Sequence, residues 1–111
     1  MKSKSFEASV LLEIYGGLLT EKQRETLDMY LNYDYSLAEI AENQASSRQA
    51  AQGTIKKALA HLEELETTLR INERFQKTEE ALARIEALSE NDAVVKETAL
   101  IRSIWEDKDG I

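Results

Sequence analysis

The sequence predicts an all-α fold, and three observations support that prediction. The 111 residues include no proline and only four glycines, so few positions interrupt a helix. Apolar residues recur at spacings of three and four, as on one side of an amphipathic helix, and no stretch alternates as strands do. Hydrophobic residues make up 42% and charged residues 32% of the chain, which is the composition of a folded domain with one core.

The first two helices are delimited by a glycine pair and by a capping box. The first helix should end at residues 16–17. Its apolar face repeats every four residues and comprises Phe6, Val10, Ile14 and Leu18. Thr20 followed three residues later by Gln23 forms a capping box that opens the second helix. That helix carries Leu27, Tyr30 and Leu31 on one face, and the polar segment 32–35 ends it.

The next two helices follow each other across a very short turn. Ser36 and Glu39 form a second capping box, which begins a short third helix with Leu37, Ile40 and Ala41 facing inward. After the stretch 43–46, Ser47 caps a fourth helix. A short helix, a tight turn and a capped helix are the elements of a helix-turn-helix, which we place at about residues 36–57.

The fourth helix is predicted to be long, and its apolar seam shifts near residue 70. Alternating spacings of three and four, as in a coiled coil, are seen in Ile55, Ala58, Leu62, Leu65 and Leu69. The apolar positions then fall one residue early, at Ile71 and Phe75, and continue through Thr78, Leu82 and Ile85. One residue is about 100° of helical rotation, so the two seams cannot share a face. Either the helix breaks near residues 70–73 or its second half packs on a different partner.

A last helix is predicted near the C-terminus. Ser89 and Asp92 indicate its N-cap, and its apolar face comprises Val94, Thr98, Ile101 and Trp105, before a charged tail at residues 106–111. We therefore divide the chain into a helix-turn-helix domain at residues 1–69 and a helical segment at residues 70–111 that dimerises or recruits a partner.

The charge of the chain is distributed unevenly. The net charge of -7 excludes an overall basic surface for nucleic acid. Residues 46–61, however, contain Arg48, Lys56 and Lys57 and no acidic residue. If DNA is bound, Arg48 and Gln49 are placed to contact base edges, with Gln52 one turn further along and the two lysines at phosphates. Three cations per protomer predict modest binding, with a salt slope of about -5 for a dimer.

Three segments of the sequence are similar to known families. They are YGGLLTEKQ at residues 15–23, DYSLAEIAE at 34–42 and SRQA at 47–50. The second and third segments resemble region 4 of bacterial sigma factors, and all three resemble the YlxM-like proteins of Gram-positive bacteria and mollicutes. The resemblance is dense over residues 12–69. It implies a helix-turn-helix protein that takes part in or regulates the signal recognition particle pathway, with DNA, the particle's RNA or its GTPase as partner.

Several residues depart from the usual helix-turn-helix pattern. Ala45 replaces the turn glycine, Gln44 and Ser46 occupy places that are usually apolar, and Gly53 lies inside the recognition helix, where it costs about 1 kcal/mol relative to alanine. We therefore expect a rearranged turn and weakened DNA reading. A transcriptional regulator that reads specific sequences and a protein-interaction module with a degenerate motif both stay open as alternatives.

A homodimer is the preferred explanation for the two seams, because one small domain offers too little surface to cover both. It would also suit a motif that commonly reads paired half-sites. The residues predicted to face a second copy or another partner are Leu62, Leu65, Leu69, Ile71, Phe75, Leu82, Ile85 and Trp105.

Catalysis and metal binding are not expected. The chain has no cysteine, and its single histidine, His61, makes neither a zinc site nor a catalytic triad. Pairs of acidic residues such as Glu79 and Glu80 are typical of a solvent-exposed helix face. We expect no cofactor. Because no apolar run is long enough for a membrane span or a signal peptide, we expect a cytosolic protein.

Overall fold

The computed structural model describes residues 2–106, with side chains from residue 6 onwards, and this part of the chain consists of helices joined by short linkers, without strands. The helices are α1 (Lys2–Tyr15), α2 (Glu21–Leu27), α3 (Leu37–Asn43), α4 (Arg48–Leu69), α5 (Ile71–Leu88) and α6 (Asp92–Ile104). A 3-10 turn, Gly16–Leu18, follows α1, and α2 continues into one π-helical turn, Asp28–Asn32. The predicted all-α helix-turn-helix fold is confirmed.

The starts of α2, α3 and α4 lie where the capping residues predict them. Thr20 and Gln23 form a reciprocal capping box at α2, and Ser36 and Glu39 form another at α3. The Ser47 hydroxyl accepts a hydrogen bond of 3.0 Å from the Ala50 N–H at the start of α4. Each cap satisfies backbone N–H groups that have no partner within their own helix.

The predicted start of the last helix is wrong by two residues. Asn91, not Ser89, is the N-cap of α6, and its side-chain oxygen accepts a hydrogen bond from the Ala93 N–H at 2.8 Å. Ser89 follows the end of α5 in an extended conformation, and its hydroxyl accepts from the Asn91 N–H at 3.2 Å. The residues 107–111 of the predicted charged tail lie outside the described residues.

Helix α4 is central to the core, because α1, α2 and α3 all pack on it. The core cluster includes Leu12, Tyr15, Leu27, Ile40, Ala51, Ile55, Ala58 and Leu62. The predicted face of α1 is wrong at its two ends: Phe6 is 72% exposed and Leu18 is 43% exposed, whereas Ile14 packs half-buried against the core and Leu12 and Tyr15 are buried. Helix α1 faces α4 with the side that carries Tyr15, and from there the tyrosine can reach a polar partner.

The shift of the apolar seam marks a helix break at Arg70. This residue takes a left-handed backbone conformation, with φ of 53°, and separates α4 from α5. The Glu66 carboxylate accepts hydrogen bonds from the N–H groups of Asn72 and Glu73, each at 3.1 Å. The Tyr15 hydroxyl accepts from the Ile71 N–H at 3.1 Å and donates to Glu66 at 2.5 Å. These bonds cap α5 and join it to α1 and α4.

Helices α5 and α6 form a hairpin with a small interior. Leu82 and Thr98 are its buried residues, and Arg102 of α6 crosses to two acids of α5. Its guanidinium donates to the Glu86 carboxylate at 2.6 and 3.0 Å and also to Glu79. The arginine, and then the Thr98 hydroxyl, lower the pKa of Glu86 to about 2. The two acids are thus held between the helices and are not a purely solvated face.

Candidate nucleic-acid interface

The turn between α3 and α4 has an alanine in a left-handed backbone conformation. Ala45 has φ of 52°, in the left-handed region, and the Ser46 N–H donates to the Ala41 carbonyl at 2.8 Å. The Gln44 N–H donates to the Ile40 carbonyl at 3.0 Å. Alanine therefore occupies a left-handed conformation that costs an L-residue about 1–2 kcal/mol.

A polar contact fastens this turn to α2. The Gln44 amide donates to the Thr26 hydroxyl at 2.6 Å, and Thr26 is fully buried. The amide oxygen of Gln44 is also buried, and it has no hydrogen-bond partner within residues 2–106. The departure from an apolar residue at position 44 therefore has a structural use, because it holds the turn against α2.

The front of α4 has one buried face and one exposed face. Ala51, Ile55 and Ala58 are buried against the core. Every residue predicted to contact nucleic acid is exposed, and these residues are Arg48, Gln49, Gln52, Lys56 and Lys57. The helix-turn-helix thus presents the predicted contact residues to solvent and leaves the apolar residues to its own core.

The contact residues are spread around the exposed side of the helix. At about 100° per residue, Gln49 and Lys56 lie near its centre, Arg48 and Gln52 lie on one flank, and Lys57 lies on the other. Gly53 is also central, and a Cβ atom added there would meet nothing within 4 Å. The middle of this surface is therefore low, with longer polar and cationic side chains around it.

The exposed front of α4 is positively charged, but acidic residues of α3 lie beside it. The ion pairs of the described residues all lie in α5 and α6, so Arg48, Lys56 and Lys57 are not neutralised by a bound carboxylate. On α3, Glu39 is engaged in its capping box, and the hydrogen bonds from the Ser36 N–H and hydroxyl lower its pKa. Glu42 is exposed nearby and opposes an anionic ligand.

Comparison with known proteins identifies the family. The model of the UPF0122 family, described as "Putative helix-turn-helix protein, YlxM / p13 like", matches residues 2–101. The chain belongs to this family. It is 39% identical over 107 residues to a UPF0122 protein of Acetivibrio thermocellus, with 93% of this chain and 92% of the relative aligned.

Two further relatives in the YlxM/p13-like family bear the same family name. The UPF0122 protein BH2485 of Halalkalibacterium halodurans is 38% identical over 105 residues, which cover 94% of this chain and 96% of the relative. A UPF0122 protein of Clostridium kluyveri is 51% identical over 72 residues, or 65% of each chain. The description of the family is that of helix-turn-helix proteins.

The residues predicted to face a partner fall into two groups in this YlxM/p13-like chain. Leu62 and Leu82 are buried by the chain's own helices, and Leu65 and Ile71 pack half-buried against the core. Leu62 and Leu82 are not available to a partner in this conformation, which corrects that part of the prediction, and Leu65 and Ile71 expose only part of their side chains. The exposed members are Leu69, Phe75, Ile85 and Trp105.

The hairpin exposes further apolar side chains that sequence analysis did not assign to a partner surface. They are Leu88, Val95, Leu100, Ile101 and Ile104, with Leu88 87% exposed. Most of these residues fall outside the apolar pattern used in the sequence analysis. That pattern follows residues on one side of a helix and does not include apolar residues on a second side. The sequence did contain a signal for this surface, because the segment has more leucine and isoleucine than a two-helix hairpin can bury.

The described helices contain no stretch long and apolar enough to cross a membrane. Within residues 2–106, no three histidine, aspartate or glutamate side chains come together as a metal ion would require.

Proposed function

We propose that this chain is a regulatory or accessory protein that binds nucleic acid through the front of α4. The observation that supports the proposal is the exposure of Arg48, Gln49, Gln52, Lys56 and Lys57 around a capped helix whose other side is buried. A helix held in this way by a preceding helix and turn is the element that helix-turn-helix proteins insert into a major groove.

Each residue has a distinct role in this proposal. Arg48 and Gln49, at the start of the helix, contact the edges of guanine and adenine, and Gln52 contacts a base one turn further along. Lys56 and Lys57 bind phosphates. Because Arg48 and Lys57 lie on opposite flanks of the helix, about 14 Å apart along its axis, they reach opposite walls of a groove. The low centre at Gly53 allows the helix backbone to approach closely.

The active unit in this proposal is a homodimer joined through α5 and α6. Nine of the chain's exposed large apolar side chains lie between Leu69 and Trp105, and a hairpin with two buried residues cannot cover them itself. Two hairpins packed together would form a four-helix arrangement that covers both apolar sides. A dimer would place two copies of α4 for paired half-sites and would present six cations to the nucleic acid, of which the four lysines bind phosphates.

The setting we propose, from the resemblance of residues 12–69 to YlxM-like proteins, is the signal recognition particle pathway. The nucleic acid is then either DNA in a regulatory site or the particle's RNA, and the GTPase of the particle is the protein partner. A pull-down from lysate with and without nuclease separates the two kinds of partner. Retention that disappears with nuclease identifies nucleic acid, and retention that survives identifies protein.

The test of the contact surface compares three alanine substitutions in binding to a pool of duplex DNA. Lys56→Ala should weaken binding to all sequences equally and reduce the salt slope by about 0.9. Arg48→Ala should relax base preference at one position, by about 1–3 kcal/mol of discrimination. Lys22→Ala, at an exposed lysine of α2, is the matched control and should change neither. If all three proteins bind alike, the α4 surface does not bind DNA.

A protein-interaction module is the second candidate, and the exposed apolar residues of α5 and α6 favour it. It predicts that binding to the partner survives Lys56→Ala but is lost when Phe75, which is 41% exposed, becomes charged. Base-specific retention that depends on Arg48 would instead favour a transcriptional regulator.

A further inference from the structure

An apolar groove with an acidic rim runs between α1 and α4, on a part of the molecule that the proposed nucleic-acid contacts do not use. Its volume is about 480 Å³. The floor is made by Leu11, Leu31 and Leu59, which are half-buried against the core, and the Tyr30 ring, 38% exposed, forms one side. A floor of this kind offers apolar contact area that the described residues leave uncovered.

The groove continues past the junction of α4 and α5. A second cavity of about 490 Å³ shares Glu7, Glu66 and Thr67 with the first and reaches Phe6 and Glu73. Phe6 is 72% exposed at this end and has no role in the core. The two cavities together form one groove with an aromatic side chain near each end.

The charge around the groove is mainly negative. The carboxylates of Glu7 and Glu63 are exposed at the rim of the first cavity, which has no lysine or arginine in its lining. In the second cavity, Glu66 is occupied in capping α5, and Arg70 is the basic residue of the lining. Four glutamates thus line the groove, and its lining includes no residue of the cationic front of α4.

We propose that this groove binds an amphipathic helix of another protein, with apolar residues on one side and lysine or arginine along its flanks. The leucine floor would take the apolar side chains, and the rim glutamates would pair with the flanking cations. This is the helix-in-groove mode of recognition, in which apolar anchors give affinity and charge fixes orientation. The α4 front of a second copy does not fit, because its exposed residues are glutamines and lysines with no apolar stripe.

The experiment uses the full chain and a synthetic peptide of about 18 residues, with leucine at helical spacings of three and four and lysine elsewhere. Binding is measured by calorimetry at physiological salt. A second peptide has the same composition in an order that gives no apolar face. The proposal expects the amphipathic peptide to bind and the reordered peptide to bind about tenfold more weakly or not at all. Equal affinity for the two peptides would overturn it, because charge alone would then explain the binding.

Two double variants with equal net charge locate the site. Glu7→Lys with Glu63→Lys reverses the rim, and Glu13→Lys with Glu64→Lys reverses exposed acids outside the groove on the same two helices. The rim variant should weaken peptide binding about tenfold, and the control variant by about twofold or less. Equal weakening by the two variants, or none by the rim variant, would overturn the proposal. Circular dichroism checks that both variants are folded.

Discussion

The backbone conformation of Ala45, at the centre of the helix-turn-helix turn, predicts whether glycine at this position raises or lowers the free energy of unfolding. Ala45 has φ of 52° and is exposed, so a glycine there loses little contact with the rest of the chain. The left-handed conformation costs alanine about 1–2 kcal/mol, which glycine does not incur. Glycine also makes the unfolded chain more flexible, which lowers stability by about 0.4–1 kcal/mol. We therefore expect Ala45→Gly to raise the free energy of unfolding by about 0.5–1 kcal/mol.

The same chemical change elsewhere should have the opposite sign. Ala60 is exposed in the interior of α4, where its backbone is helical, and Ala60→Gly should lower the free energy of unfolding by about 1 kcal/mol. Urea denaturation followed by circular dichroism measures both variants against the parent chain. In thermal melts, each kcal/mol corresponds to about 4–8 °C for a domain near this size.

The result that would refute this reasoning is a loss of stability in Ala45→Gly similar to that in Ala60→Gly. Residue 45 would then be in an ordinary right-handed conformation, and the turn that sets α4 against α3 would differ from the one described. Equal stability of Ala45→Gly and the parent chain would mean that the backbone strain at this residue is absorbed elsewhere.

Three further predictions test other parts of the structure. Tyr15→Phe should lower the free energy of unfolding by about 1–3 kcal/mol in urea denaturation, because the Ile71 N–H loses its acceptor. The parent chain should also lose stability as pH rises from 10 towards 12, since burial and the Glu66 carboxylate raise the pKa of Tyr15 to about 12. The stabilising effect of Glu86 should be complete above pH 4.5 and be lost as pH falls towards 2. Arg102→Met should remove the larger part of that acid dependence in a pH titration of helicity, because Arg102 is the main cause of the lowered pKa of Glu86. Gly53→Ala should raise the unfolding free energy by about 1 kcal/mol yet weaken nucleic-acid binding, and unchanged binding would count against close approach of the α4 backbone.

The helix starts were predictable because their signals are local. A serine or threonine followed three residues later by glutamate or glutamine satisfies the same backbone N–H groups in any tertiary setting, so Thr20 and Ser36 could be assigned from sequence. The break after α4 was also marked, because a one-residue shift of the apolar pattern cannot be reconciled with a straight helix. The start of α6 was harder, since Ser89, Asn91 and Asp92 are all good capping residues within four positions.

The faces and contacts of the helices depended on tertiary packing. Repeats of four residues in α1 indicated Phe6, but the burial of Tyr15 depends on Glu66, which is 51 residues away in the sequence. Likewise, nothing local pairs Arg102 with Glu79 and Glu86, because the hairpin brings them together. The exposed α4 residues were easier to predict, since their charge and their place at the start of a capped helix both lie within one short segment.

The central claim, that the front of α4 contacts nucleic acid, is tested most directly by amide chemical-shift mapping of the labelled chain during titration with duplex DNA and with an RNA hairpin. The account predicts that the shifts concentrate at residues 48–57, and that they weaken with added salt. Shifts confined to α5 and α6, with residues 48–57 unchanged at saturation, would contradict it.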